Sequence, residues 1–197
     1  MMGTRRVRVR ALASAAAGLG AFAAAMPTAG ASNFGSTGGP RNESLFVANN
    51  KWHSFSFHGV GADWRQGLTD AIYYSYEPTD LIMSQYADGS NNVDVRVWAG
   101  SIGAGYYGRV LCPDDGIVTG ADPTETCYGQ WLKIDTSASV PNQDARKSVM
   151  CHEFGHTVGL RHSQGSSHPA PGQSCMSVPN FPLALQQHDI DHVNGYY

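Results

Sequence analysis

Residues 152–162 read HEFGHTVGLRH, and this stretch decides both the fold and the chemistry that we expect of the chain. Residues four positions apart lie on the same face of an α-helix, so His152 and His156 can direct their imidazoles at one ion. Gly159 can adopt the left-handed backbone conformation that ends a helix. The chain can then turn back, so that His162 supplies a third ligand. Three histidines leave a fourth position for water, which is typical of a catalytic zinc site.

The carboxylate of Glu153 follows the first histidine directly. From this position it can reach a water on the metal rather than the metal itself. Such a carboxylate can act as the general base of a hydrolytic reaction. The competing interpretation is a helix with ordinary core or surface histidines. It requires five fixed positions to match by chance, so we favour the zinc site.

The motif resembles that of the metzincin metalloendopeptidases. Members of this family have a tight turn with a methionine beneath the metal, and residues 174–177 (SCMS) offer Met176 for that role. The resemblance implies that Met176 forms an apolar floor under the imidazoles without binding zinc. It also implies an α+β domain, which contains a twisted, mostly parallel five-stranded sheet with an antiparallel edge strand. A zinc helix, a Met turn and a C-terminal helix complete this expected domain.

Among the metzincins the chain is most similar to the matrixins. Residues 93–97 and Gln130–Asp135 resemble two of their strands, and residues 107–111 resemble the edge strand along which an extended peptide binds. Residues 179–181 (PNF) resemble the P-x-Y segment of that branch, so Pro179 and Phe181 are expected to line the pocket for the residue after the scissile bond. Phe181 stands where the branch has tyrosine, so the preference of this pocket is not determined by the resemblance.

The N-terminus has the features of a secretory signal. Four arginines at positions 5–10 precede an alanine-rich apolar segment, and AGA at positions 29–31 matches a cleavage site. The apolar segment is too short to span a membrane. We therefore expect a secreted, extracellular protein without a membrane anchor. Its predicted parts are a signal peptide at 1–31, a flexible tail at 32–44 and one catalytic domain at 45–197.

The charge after the predicted cleavage is acidic. The signal contains four of the 13 Lys and Arg residues and none of the 16 Asp and Glu residues, which leaves nine positive against 16 negative side chains. An acidic surface argues against a nucleic-acid partner. We expect a monomer that acts on an extended peptide or protein.

Four cysteines follow the signal, and an even number in an exported chain predicts disulfides. Three pairings are possible. We favour Cys112–Cys127, which closes a local loop, together with Cys151–Cys175, in which each cysteine adjoins a site residue. The competing interpretation is a cysteine that binds zinc, but three histidines already suffice.

Hydrophobic patterns predict the order of the secondary structure. Strands are predicted at 51–57, 81–86, 93–98, 106–112 and 130–136, and helices at 63–76, from Asn142 through the motif, and at 183–194. The polar residues 88–92 predict a hairpin turn between the second and third strands. A calcium site is the competing interpretation of this segment, formed by Asp88, Asn91, Asn92 and Asp94. His53 and His58 are expected on the surface of the first strand.

These observations predict a zinc-dependent endopeptidase with Glu153 as the general base. Two other classes stay open. A zinc-binding module without catalysis would have no need of Glu153. A zinc amidase that acts on small or cell-wall peptides would share the site, and a digest of a protein substrate would distinguish it.

Overall fold

The computed structural model describes residues 47–103, 105–113, 126–162, 174–177 and 183–197. The predicted signal at 1–31, the predicted tail at 32–44 and the expected pocket residues Pro179 and Phe181 lie outside these ranges. None of the helices in the described ranges has the length and apolar character needed to cross a membrane.

A five-stranded mixed sheet forms the frame of the domain. Its strands, which lie in the order β2-β1-β3-β5-β4, are β1 (Trp52–His58), β2 (Ile82–Gln85), β3 (Val95–Gly100), β4 (Gly108–Leu111) and β5 (Gln130–Asp135). Neighbouring strands are parallel, except that β4 pairs antiparallel with β5 at one edge. The expectation of a mostly parallel sheet with one antiparallel edge strand is confirmed.

The predicted hairpin between β2 and β3 is wrong. Both strands pair in parallel with β1, which lies between them. Phe55 of β1 faces Gln85, the last residue of β2, on one side and Val95, the first residue of β3, on the other. Because β3 begins at the level where β2 ends, the connecting segment crosses β1. It contains a turn, in which the N–H of Ser90 donates to the carbonyl of Ala87 at 3.1 Å, but this turn does not join two paired strands.

The two aspartates of this connection bind protein donors in different places. Asp88 forms an ion pair with Arg65 of the first helix. Asp94 accepts hydrogen bonds from the backbone N–H and the hydroxyl of Ser54, at 2.7 and 2.6 Å. The calcium site in this segment stays a prediction.

Three α-helices accompany the sheet in the described ranges. They are α1 (Ala62–Ala71), which continues into a π-helical turn (Ile72–Tyr76), α2 (Gln143–Thr157) and α3 (Gln187–Tyr196). The residue that caps the start of α2 is the predicted one, Asn142, whose side chain accepts a hydrogen bond from the N–H of Ala145 at 2.9 Å. An asparagine in this position satisfies a backbone donor that the helix itself leaves unpaired.

The core lies between one face of the sheet and the helices α1 and α2. Phe154 of α2 makes edge contacts with the rings of His53, Phe55 and Tyr76. Alternate residues of a strand share a face, so His53 faces the core together with Phe55. His53 is completely buried, and the expectation of a surface position is therefore wrong for this residue. His58 is half-buried.

Candidate metal centre

Three imidazoles converge at the C-terminal end of α2. His152 and His156 lie one turn apart on the helix, and His162 follows five residues after its end. Their Nε2 atoms are 2.9, 3.1 and 3.2 Å apart. Nitrogen ligands in a tetrahedral zinc site are about 3.3 Å apart, since each lies about 2 Å from the ion. In the described ranges, these three residues are the one such group of His, Cys, Asp or Glu side chains close enough together to share an ion.

Backbone carbonyls determine which ring nitrogen faces this centre. The Nδ1–H of His152 donates to the carbonyl of Cys175, and that of His156 donates to the carbonyl of Leu160, both at 2.7 Å. In a neutral imidazole the Nε2 atom then carries a lone pair. Two such lone pairs and the Nε2 atom of His162 face one point, where they repel one another unless a cation binds. This donor set fits zinc, whose histidine ligands are usually oriented by hydrogen bonds of this kind.

The surroundings also favour neutral imidazoles. Burial lowers the pKa of His152 and lowers that of His156 to a greater extent. His156 is 3% exposed, and its imidazole neighbours lower its pKa further. A neutral imidazole is the form that binds a metal, so little protonation competes with the metal at neutral pH.

The turn at the end of α2 reverses the chain, so that the side chain of His162 returns to the two histidines of the helix. Gly159 has a φ of 91°, in the left-handed region. Its N–H donates to the carbonyl of His156 at 3.2 Å, and the N–H of Leu160 donates to the carbonyl of Gly155 at 2.9 Å. This pair of bonds is the Schellman motif, which commonly ends a helix at a glycine. The same turn presents the Leu160 carbonyl to His156.

The methionine that the sequence indicated, Met176, lies against the zinc helix. It is completely buried. A Cβ atom added to Gly155 would lie 3.0 Å from Cε of Met176, and closer still to its Sδ. Only a glycine at position 155 allows the helix and the turn to approach this closely. The disulfide Cys151–Cys175 connects the same two segments, and the structure also contains the second favoured bridge, Cys112–Cys127.

The side chain of Glu153, on α2, points toward the edge strand β4. This side chain is 7% exposed, and its carboxyl group approaches the backbone of Gly108, the first residue of β4. The carboxyl group is therefore adjacent in sequence to His152 and in space to the edge of the sheet. This part of the molecule therefore combines ligands for a metal ion, a carboxylate that can accept a proton and the edge of a sheet.

A family model described as dual-action HEIGH metallo-peptidase matches residues 61–175, which is more than half of the chain. The chain belongs to this family. The match includes α1, most of the sheet, the three histidines and Cys175. The letters HEIGH correspond to residues 152–156, with Phe154 in the place of isoleucine. No curated protein matches the chain.

Membership of the HEIGH family identifies the chain as a metallopeptidase with a metzincin-like site, for which a peptide or protein is the substrate. The family match does not distinguish the matrixin branch from other metzincins. The expected pocket residues Pro179 and Phe181 lie outside the described ranges, and their role stays a prediction.

Two buried side chains that the sequence patterns did not single out support the centre. The hydroxyl of Tyr76 donates to the carbonyl of Cys151 at 2.5 Å. Asp189 of α3 accepts hydrogen bonds from the hydroxyl of Ser174, in the turn before Met176, and from the N–H of Gln186, at 2.6 and 3.0 Å. The capping pattern at the start of α3 could have indicated Asp189. Nothing in the sequence indicates that Tyr76 contacts a residue 75 positions away.

Proposed function

We propose that the protein is a secreted zinc endopeptidase in which Glu153 is the general base. The observation that carries the proposal is the approach of three histidine Nε2 atoms to within 3.2 Å of one another, with the buried Glu153 directly after the first of these histidines in the sequence. Zinc bound by His152, His156 and His162 would polarise the scissile carbonyl group and lower the pKa of a water molecule. Three protein ligands leave the open position that this chemistry needs.

Glu153 performs the proton transfers in this proposal. Its carboxylate accepts a proton from the water that attacks the carbonyl carbon, and then donates a proton to the amine that leaves. A general base has to lie within hydrogen-bond reach of the proton that it removes. The close packing of Glu153 against Gly108 supports this role, because it limits the positions that the carboxyl group can occupy.

The edge strand β4 supports an extended peptide as the substrate. In the described part of the sheet, β4 pairs with β5 on one side and has no strand on the other. An edge strand has unpaired backbone groups, to which an extended peptide can add as a further strand. Since Gly108 of β4 lies against Glu153, a peptide bound along this edge passes the general base. A small amide would leave most of the edge unused, which favours an endopeptidase over an amidase.

Two finer parts of the proposal come from the sequence. Pro179 and Phe181 line the pocket for the residue after the scissile bond, as the similarity to the matrixins implies. Export is supported by the predicted signal and by the two disulfides, since such bridges persist in oxidising compartments.

The experiment that tests the function is digestion of denatured casein by the purified chain from Ser32 onward. We expect a chelator to abolish cleavage and stoichiometric zinc to restore it. Glu153→Gln should still bind one zinc ion per chain and lose at least about 100-fold in kcat, because the carboxylate no longer takes up the proton. The matched control is Glu77→Gln, which makes the same change at an exposed glutamate and should retain activity.

Each other outcome identifies a different error. Near-normal turnover in Glu153→Gln would contradict the general-base assignment. A zinc-loaded chain that hydrolyses short amides or cell-wall peptides but no protein would be an amidase. A zinc-loaded chain that hydrolyses neither would be a zinc-binding module without catalysis.

A further inference from the structure

A glycine begins the edge strand beside the general base. Gly108 is buried and pairs with Ile134 of β5. Glycine is unfavourable in a strand, because it loses more conformational freedom on folding than other residues and has no side chain to pack. The backbone does not explain its presence, since the φ of Gly108 is outside the left-handed region. Other residues could adopt the same backbone conformation.

The space next to Gly108 does explain it. A Cβ atom at position 108 would lie 2.6 Å from Cδ and 2.8 Å from Oε1 of Glu153, and closer still to its Cγ. Real Cβ atoms essentially never come within 3.0 Å of another heavy atom in this way. An alanine at position 108 would therefore force the glutamate side chain to move. Because this side chain is 7% exposed, the surrounding protein leaves it little room to move while the carboxyl group stays in place.

Another glycine of the same sheet provides a comparison. Gly100 is the last residue of β3, also has a φ outside the left-handed region, and is half-buried. A Cβ atom added there would have no neighbouring atom within 4 Å. An added methyl group thus meets open space at Gly100 and the side chain of Glu153 at Gly108.

We propose that Gly108 is a positioning residue for the general base. The Glu153 carboxyl group occupies the space that a side chain at position 108 would fill. The edge strand therefore sets the position of the base and also receives the substrate. This inference rests on the proposed role of Glu153. The contact between the two residues can nevertheless be measured without any reference to activity.

The kinetic test is the substitution Gly108→Ala, with Gly100→Ala as the matched control. A displacement of a reacting group by about 1 Å can lower a rate about 100-fold, so kcat of Gly108→Ala should fall by about that factor. KM and zinc affinity should stay within about threefold, because the three atoms nearest to the added methyl group all belong to Glu153, which is not a metal ligand in this proposal. Gly100→Ala should retain kcat. A Gly108→Ala enzyme with unchanged kcat, or with a raised KM alone, would overturn the proposal.

The second test is a thermal unfolding cycle on the zinc-loaded protein. In the wild-type background, Gly108→Ala should lower the unfolding midpoint by at least about 3 °C, because the added methyl group overpacks the site. In a Glu153→Ala background the same change should lower it by less than about 1 °C, because the truncated side chain leaves room. Equal lowering in both backgrounds would show that the methyl group is rejected by something other than Glu153, and would overturn the proposal.

The outcomes remain distinct in the difficult cases. If Gly108→Ala alone does not fold, the yield of folded Gly108→Ala/Glu153→Ala protein decides: recovery supports the contact, and failure of both variants overturns it. If the wild type cleaves no peptide, the proposed function fails while the unfolding cycle still reports whether Gly108 accommodates Glu153.

Discussion

A fall in pH from 7 to 5 should destabilise the fold through His53. This imidazole is completely buried between β1 and α2. The hydroxyl of Thr157 donates to the carbonyl of Phe154 at 2.7 Å, so it accepts a hydrogen bond from the Nε2–H of His53, at 2.9 Å. The Nδ1 atom of His53 has no hydrogen-bond partner among the described residues. Protonation would therefore place a buried charge next to the last residue of the zinc helix.

The size of the effect follows from the pKa of His53. Burial lowers this pKa from 6.5 to about 4, although the charge of Asp94 acts in the opposite direction. As the pH falls, the unfolded chain therefore takes up a proton before the folded chain does. The contribution to stability is fully present above pH 6.5 and is lost as the pH falls toward 4. The difference between the two pKa values corresponds to a loss of about 3 kcal/mol, of which about 2 kcal/mol is reached by pH 5.

The assay is urea unfolding of the wild type and of His53→Gln at pH 7 and pH 5. Glutamine can keep an N–H near Thr157 but does not titrate in this range. The free energy of unfolding should fall by about 2 kcal/mol more in the wild type than in the variant. Protonation of the zinc ligands also destabilises both proteins, so measurements with excess zinc and with excess chelator should give the same difference. Equal pH dependences in the two proteins would refute the reasoning.

Two further predictions concern the support of the metal centre. Replacing Cys151–Cys175 by two serines should weaken zinc binding about 10-fold, because the bridge holds the carbonyl that orients His152, whereas the same change at Cys112–Cys127 should leave zinc binding unchanged. Competition with a chromophoric chelator measures both, and equal affinities would contradict this role of the bridge. Gly155→Ala should lower the free energy of unfolding by about 1–3 kcal/mol through overpacking against Met176. Gly195→Ala, in a helix with open space around the new methyl group, is the control, and an equal effect of the two substitutions would contradict the packing argument.

The parts of the site that could be predicted from the sequence depend on local geometry. The repeat of an α-helix brings His152 and His156 onto one face whatever the rest of the chain does. The start of α2 at Asn142 also follows from a local rule, and the structure confirms it. The Schellman turn at Gly159 belongs to the same class, because both of its hydrogen bonds join residues of one segment.

The parts that could not be predicted depend on contacts between distant residues. The polar sequence between β2 and β3 predicts a hairpin. A turn is present there, but both strands pair with β1 rather than with each other, and this pairing determines the path of the chain. His53 looked like a surface residue because the alternation of β1 does not say which face meets the helices. Gly108 carries no sequence signal either, since its meaning depends on Glu153, which lies on another element.

The unspecified positions of the zinc motif carry the packing that holds its specified positions. Phe154 fills the core against Phe55 and Tyr76, Gly155 admits the Met turn, and the carbonyl of Thr157 accepts a hydrogen bond from the side chain of Gln130 at 2.5 Å. These contacts fix α2 against the core and the Met turn, and the carbonyls of Cys175 and Leu160 orient the imidazoles of His152 and His156. A centre organised in this way does not have to order its own backbone when it binds zinc. The same packing limits the variation of the motif, because a smaller residue in place of Phe154 requires its aromatic neighbours to change as well.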